Sequence, residues 1–187
     1  WLAVVLISVV GTLVTDNLTD NLDVPLQAST VAFTVILALT FAIWYAGEKT
    51  LSIHSIFTTR REVFYWLAIL FTFALGTAAG DLVAEQFEFG YLTTALIFAA
   101  VIGVIGFAYY VLKFDAITAF WLAYIFTRPA GASIGDLLAQ PREYGGLGFG
   151  TIATSVLFLG IIVVTVAYMS WAYEPESVPP EAQTAES

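Results

Sequence analysis

Six stretches of this chain, about 1–22, 26–47, 63–85, 91–112, 116–138 and 149–172, are long and apolar enough to cross a bilayer, where a spanning helix needs roughly 20 predominantly apolar residues. No other feature constrains the fold as tightly. Backbone placed in hydrocarbon must satisfy its own hydrogen bonds, and an isolated segment of this length does so as a helix. Residues are 59% hydrophobic and 11% charged, whereas a soluble domain carries roughly 25% charged residues. The expected fold is therefore an all-α integral membrane protein with about six transmembrane helices, and the first expected partner is the lipid bilayer. A net charge of −9 argues against nucleic acid. With no Cys and one His, His54, the chain offers no disulfide framework, thiolate metal site, c-type haem attachment or multi-histidine centre.

Self-comparison adds an internal repeat. Trp1 begins WLAVVLISVVGTLVTDNLTD, Trp66 begins WLAILFTFALGTAAGDLVAE, and Trp121 begins WLAYIFTRPAGASIGDLLAQ. Ten residues after each Trp comes Gly (Gly11, Gly76, Gly131), and fifteen after it comes Asp (Asp16, Asp81, Asp136). Nine residues beyond each Asp, Pro25, Gly90 and Gly145 are expected to open a second apolar helix. The predicted unit is thus a hairpin of two membrane helices, present three times in tandem. It divides the chain into a hairpin over 1–47, a polar cytoplasmic connection over 48–62, hairpins over 63–113 and 114–173, and an acidic disordered tail over 174–187. Trp66 and Trp121 follow an aromatic residue and a polar lead-in, whereas Trp1 opens the sequence. The expectation is a fourth, N-terminal hairpin upstream.

The segments SIHSIFTTRREVFYWLAILFTFALGTAAGD, FWLAYIFTRPAGASIGDLLAQP and GGLGFG resemble the bacterial "repeat of unknown function" proteins, a family of uncharacterised membrane-anchored proteins. The likeness covers residues 1–173. It implies four tandem repeats, each with two membrane segments and a Trp, and it implies no activity.

Charge placement predicts orientation. Lys49, Arg60, Arg61 and Lys113 fall in one set of connections. Asp20, Asp23, Glu85, Glu88 and Glu143, opposed by Arg142, fall in the other. Basic loops stay cytoplasmic, so the expected location is the bacterial inner membrane with both ends of the chain in the cytoplasm. His54, Arg60, Arg61 and Glu62 form a polar cytoplasmic cluster, read either as anchors or as a site for anionic lipid headgroups. Trp44, Tyr45, Tyr109, Tyr110, Tyr168 and Trp171 read as an interfacial aromatic belt.

Chemistry must come from the acidic positions. Each repeat Asp lies about 22 Å along its helix from the Trp, past the midplane of a core ~30 Å thick. Four residues on come Asp20, Glu85 and Gln140, on the same helix face as Asp16, Asp81 and Asp136. Oxygen ligands without His or Cys suit a hard cation or a proton. The other reading makes each Asp an interfacial cap. Arg128, alone in an apolar run, needs a carboxylate or carbonyl partner, with Asp16, Asp81 and Asp136 as candidates. It reads either as a gate or counter-ion or as a structural salt bridge. Gly11, Gly76, Gly80, Gly131 and Gly135 read as helix-packing positions, or as a helix break exposing carbonyls.

Two functions stay open: a transporter of a small cation, divalent metal or proton, and a non-catalytic subunit of a larger membrane complex. No nucleophile–base set marks an enzyme, and no cofactor is expected beyond a bound cation.

Overall fold

A computed structural model describes residues 2–172 apart from the side chain of Glu85; Trp1 and residues 173–187, the expected acidic tail over 174–187 among them, lie outside the described residues. Six long helices carry the fold: α1 (Leu2–Asp16), α2 (Leu26–Glu48), α3 (Thr59–Asp81), α4 (Gly90–Tyr110), α5 (Ala116–Ala139) and α6 (Gly150–Ala172). Five of them, with α1 and α3 extended by a π-helical turn, are long and apolar enough to cross a membrane. The expected sixth span, α5, falls short on composition and not on length. Its 24 residues would reach about 36 Å, but Thr127, Arg128, Pro129, Ser133 and Asp136 dilute its apolar character.

Packing does not follow the hairpins. Among the described residues α1 and α2 hardly touch, nor do α3 and α4. The first helices of the three repeats, α1, α3 and α5, pack in succession on one another. Each second helix leans on the first helix of the following repeat, α2 on α3 and α4 on α5. Small residues explain why α3 sits at the centre. Ala68, Ala74, Gly76, Ala78 and Gly80 are all buried on it, so neighbouring backbones approach closely from several sides. Thr15 Oγ1 donates to the Ala74 carbonyl at 2.9 Å, tying α1 to α3.

At the basic end the core is aromatic. Trp44 is 1% exposed and stands edge-on to Trp121 with ring centroids 5.8 Å apart. It is therefore a core residue, not part of an interfacial belt, because α2, α3 and α5 converge on it. Tyr45, Tyr109, Tyr110, Tyr168 and Trp171 are exposed. Trp121 Nε1 donates to the Leu51 carbonyl at 2.9 Å, and Arg61 donates to Glu48 Oε2 at 2.6 Å and to the Ser55 carbonyl at 2.7 Å. The long polar connection is thus fastened down, and His54 stays exposed on it.

The third repeat departs from the other two at its hairpin tip. Gly145 does not open α6; it takes a left-handed conformation after a short turn, Arg142–Tyr144, and the helix begins five residues later at Gly150. The intervening glycine-rich run folds back over the end of α5. Leu147, Phe149 and Gly148 donate to the carbonyls of Leu137, Leu138 and Gln140, which satisfies groups a helix end leaves without partners.

Candidate functional site: a polar seam across the first helices

Arg128 crosses from α5 over α3 to α1. Its stem passes over Gly76, where a Cβ would overlap Arg128 Cγ and lie 2.6 Å from Arg128 Cβ. Nη2 then donates to Thr12 Oγ1 at 2.6 Å, and the guanidinium carbon stands 4.7 Å above the Phe73 ring. Thr77 Oγ1 donates to the same Thr12 hydroxyl at 3.4 Å. Gly76 is what allows this passage: any side chain there would occupy the path of the arginine. Pro129 beside it has no N–H for the carbonyl one turn back, and Ser133 Oγ donates to the Pro129 carbonyl at 2.9 Å.

The three repeat carboxylates act on this residue electrostatically, while the guanidinium's hydrogen bond goes to the Thr12 hydroxyl and not to the carboxylate or carbonyl that sequence reasoning expected. Asp81, Asp16 and Asp136 each attract the Arg128 guanidinium, and all three are half-buried. Asp16 and Asp81 are the last α-helical residues of α1 and α3, and a π-helical turn follows each, Asn17–Asn21 and Leu82–Gln86. Such turns widen the helix by one residue and recur at functional positions. α5 has none, and Gln140 lies past its end with extended backbone. The expected pairing four residues on therefore varies from repeat to repeat. Asp20 is exposed but still repels Asp16, Glu85 falls outside the described side chains, and Gln140 shares no helical face with Asp136. Among the described residues, no group of three or more His, Asp or Glu is arranged to hold a metal ion.

The glycines divide. Gly11 packs against Phe73 and Leu70, Gly76 against Arg128 and Gly80 against Pro129, while a Cβ added to Gly135 would stand 4.0 Å from the Phe158 ring. Gly131, expected at a packed interface, is exposed with nothing within 4 Å of its Cβ position. Its equivalents are covered by the next repeat's first helix, Gly11 by α3 and Gly76 by α5.

Sequence reading missed Thr12 and Thr77, although each directly follows its repeat glycine at the same repeat position. It also missed Ser29, Thr94 and Thr154, three buried hydroxyls without a hydrogen-bond partner among the described residues. Each stands four residues before a Phe: Phe33, Phe98 and Phe158. Allowing five extra residues in the third hairpin tip would have aligned them.

Residues 1–50, 64–114 and 119–173 each match the family described as Repeat of Unknown Function (DUF347). The chain belongs to that family. Arg128 therefore sits at a position of the third DUF347 repeat where the first two carry Ser8 and Phe73. No curated protein and no solved structure matches the chain.

Proposed function

We propose that this DUF347 chain is a polytopic membrane protein with all six helices in the bilayer, and that the seam around Arg128 carries a proton between the two sides. One observation supports this most: a guanidinium held among Thr12, Thr77 and Gly76, with three repeat carboxylates acting on it, in a chain whose other helices are lipid-compatible. Ionisable groups at such depth are costly and mark pathways or relays. A proton suits the seam better than a divalent metal, since no set of three acidic ligands converges among the described residues. The proposed step is simple. A proton binds one carboxylate, that Asp becomes neutral, its attraction for Arg128 ends, and the guanidinium turns towards the remaining charged Asp. The basic connections with Lys49, Arg60, Arg61 and Lys113 support an orientation with both described ends on the cytoplasmic side of a bacterial inner membrane.

Proteoliposomes loaded with a pH-sensitive dye test this. The wild-type chain should dissipate an imposed pH gradient at least ten-fold faster than empty vesicles. Asp81→Asn and Asp136→Asn should each remove that flux while the protein elutes as a folded species. Folded wild-type protein with no flux for protons or metal cations would sink the reading. The second reading, a non-catalytic subunit of a membrane complex, draws support from α6, where Thr154 alone is buried. Stable co-purification with a larger assembly, without flux, would favour it.

A further inference from the structure

The packing rule of the fold leaves a gap between successive second helices. α2 leans on α3 and α4 leans on α5, so α2 and α4 hardly touch among the described residues. Between them runs a groove of about 400 Å³. α2 and Phe98 of α4 wall it, while α3 and α5 floor it through Leu75, Gly76, Ala79, Leu122, Ile125 and Pro129. Thr34 and Ala38 at its edge are exposed, whereas Leu37 and Phe98 are buried, so the groove opens sideways. Phe41 stops its basic end, with ring centroids 4.9 Å from Trp121 and 6.4 Å from Trp44. Every element around the groove is internal to the chain. By the same packing rule a repeat upstream would set its second helix on α1, and one downstream would follow α6. Neither position falls between α2 and α4.

Length, depth and lining select the occupant. From Thr30 to Phe41 the groove follows eleven residues of α2, about 16 Å, close to half of a hydrocarbon core ~30 Å thick. Thr30 stands four residues after Leu26, where α2 begins at the acidic end, or about 6 Å along the axis. The groove therefore runs from just inside the acidic face to a little past the midplane, the reach of one chain of a lipid in that leaflet. Its lining is apolar apart from two threonines. Thr34 Oγ1 already donates to the Thr30 carbonyl at 2.7 Å, and the Thr30 hydroxyl is enclosed. Water would find no partners there, and an empty groove would forfeit van der Waals contacts on every wall.

We propose that this groove holds one acyl chain of a lipid from the leaflet at the acidic end, entering sideways between α2 and α4. It recognises hydrocarbon and not a headgroup. Gly76 and Pro129 on its floor also frame the stem of Arg128, so the chain closes the lipid-facing side of the arginine's passage. The site rests on the bilayer placement of the helices and is independent of whether the seam moves protons.

The test reconstitutes the full chain in phosphatidylethanolamine–phosphatidylglycerol vesicles. These contain a phosphatidylglycerol whose chain carries a diazirine, either near the glycerol or near the terminal methyl. Peptide mass spectrometry maps the residues labelled on irradiation. The near-glycerol probe should label Thr34 or Ala79, and the near-terminal probe Phe41 or Leu122. Both labels should saturate as probe is added, while label on exposed Ile152 and Val164 of α6 keeps rising in proportion. Ala38→Phe on the wall and Ala79→Leu on the floor each fill the groove. Whichever elutes as a folded species should lose groove label at least five-fold with no change on α6. Groove label absent beside strong α6 label, an inverted order of the two probes, or full groove label in a folded filled variant would overturn the acyl-chain site. Label on no helix at all would overturn the bilayer placement as well.

Discussion

Gly76→Ala should damage the seam at the point where Arg128 passes over α3. The new Cβ would overlap Arg128 Cγ, lie 2.6 Å from its Cβ and 3.2 Å from Pro129 Cδ. Overpacking of this kind costs about 1–3 kcal/mol. Displacing the side chain also loses the bond to Thr12, worth roughly 0.6 kcal/mol for an average interhelical hydrogen bond in a membrane and up to ~3 kcal/mol for a charged donor. Alanine returns about 1 kcal/mol through its higher helix propensity. The net expectation is a loss of roughly 0.6–5 kcal/mol, read by reversible unfolding in mixed micelles. The control is Gly103→Ala on α4, where nothing lies within 4 Å of the Cβ position, and it should cost nothing. Arg128→Ala removes the overlapping Cγ, so Gly76→Ala should cost at least about 1 kcal/mol less in that background. Strict additivity of the two substitutions would refute the passage of Arg128 over Gly76.

Thr12→Val removes the hydroxyl that accepts from both Arg128 and Thr77, and should destabilise the protein by about 1–3 kcal/mol in the same unfolding assay. Gly146→Ala would drive a Cβ into the Gln140 carbonyl, so it should loosen the tip between α5 and α6 and raise proteolysis there. Trp121→Phe keeps most of the ring packing but loses the bond to Leu51, costing about 1 kcal/mol and increasing hydrogen exchange over 49–58. Asp115 caps α5, and the Thr118 backbone N–H, then the Thr118 hydroxyl, hold its carboxyl below the ordinary 3.8. A depressed folded value means the cap's contribution is complete above pH ~3.9 and is lost as pH falls through the lower folded value. Melting temperatures of wild type and Asp115→Ala should therefore converge only at acid pH.

The spans and the repeat were legible because hydropathy and self-similarity are local properties, read along one dimension. Five apolar runs correspond to helices able to cross a membrane. α5 does not qualify because the residues that make it interesting are polar. The partnering of helices was not legible. Short connections suggest hairpins, but small residues on α3 draw α1, α2 and α5 towards it, and that depends on all faces at once. Trp44 illustrates the limit: its position near a helix end suits an interface, yet three converging helices bury it. Arg128 could be singled out by its isolation, while its acceptor Thr12, 116 positions away, could not. The offset of α6 by five residues was hidden by Gly145, which occupies the aligned position but has a left-handed backbone.

Infrared difference spectroscopy of the reconstituted protein between neutral and acid pH, with isotope-labelled Asp, reads the seam most directly. Proton exchange at Asp16, Asp81 and Asp136 around Arg128 predicts a protonated-carboxyl band that grows in at acid pH and shifts in heavy water as its proton is replaced by deuterium. Asp81→Asn or Asp136→Asn should remove part of that band, and Arg128→Gln should shift it. Carboxyl signals that heavy water does not shift, or that are unchanged by all three substitutions, would contradict a proton-carrying seam.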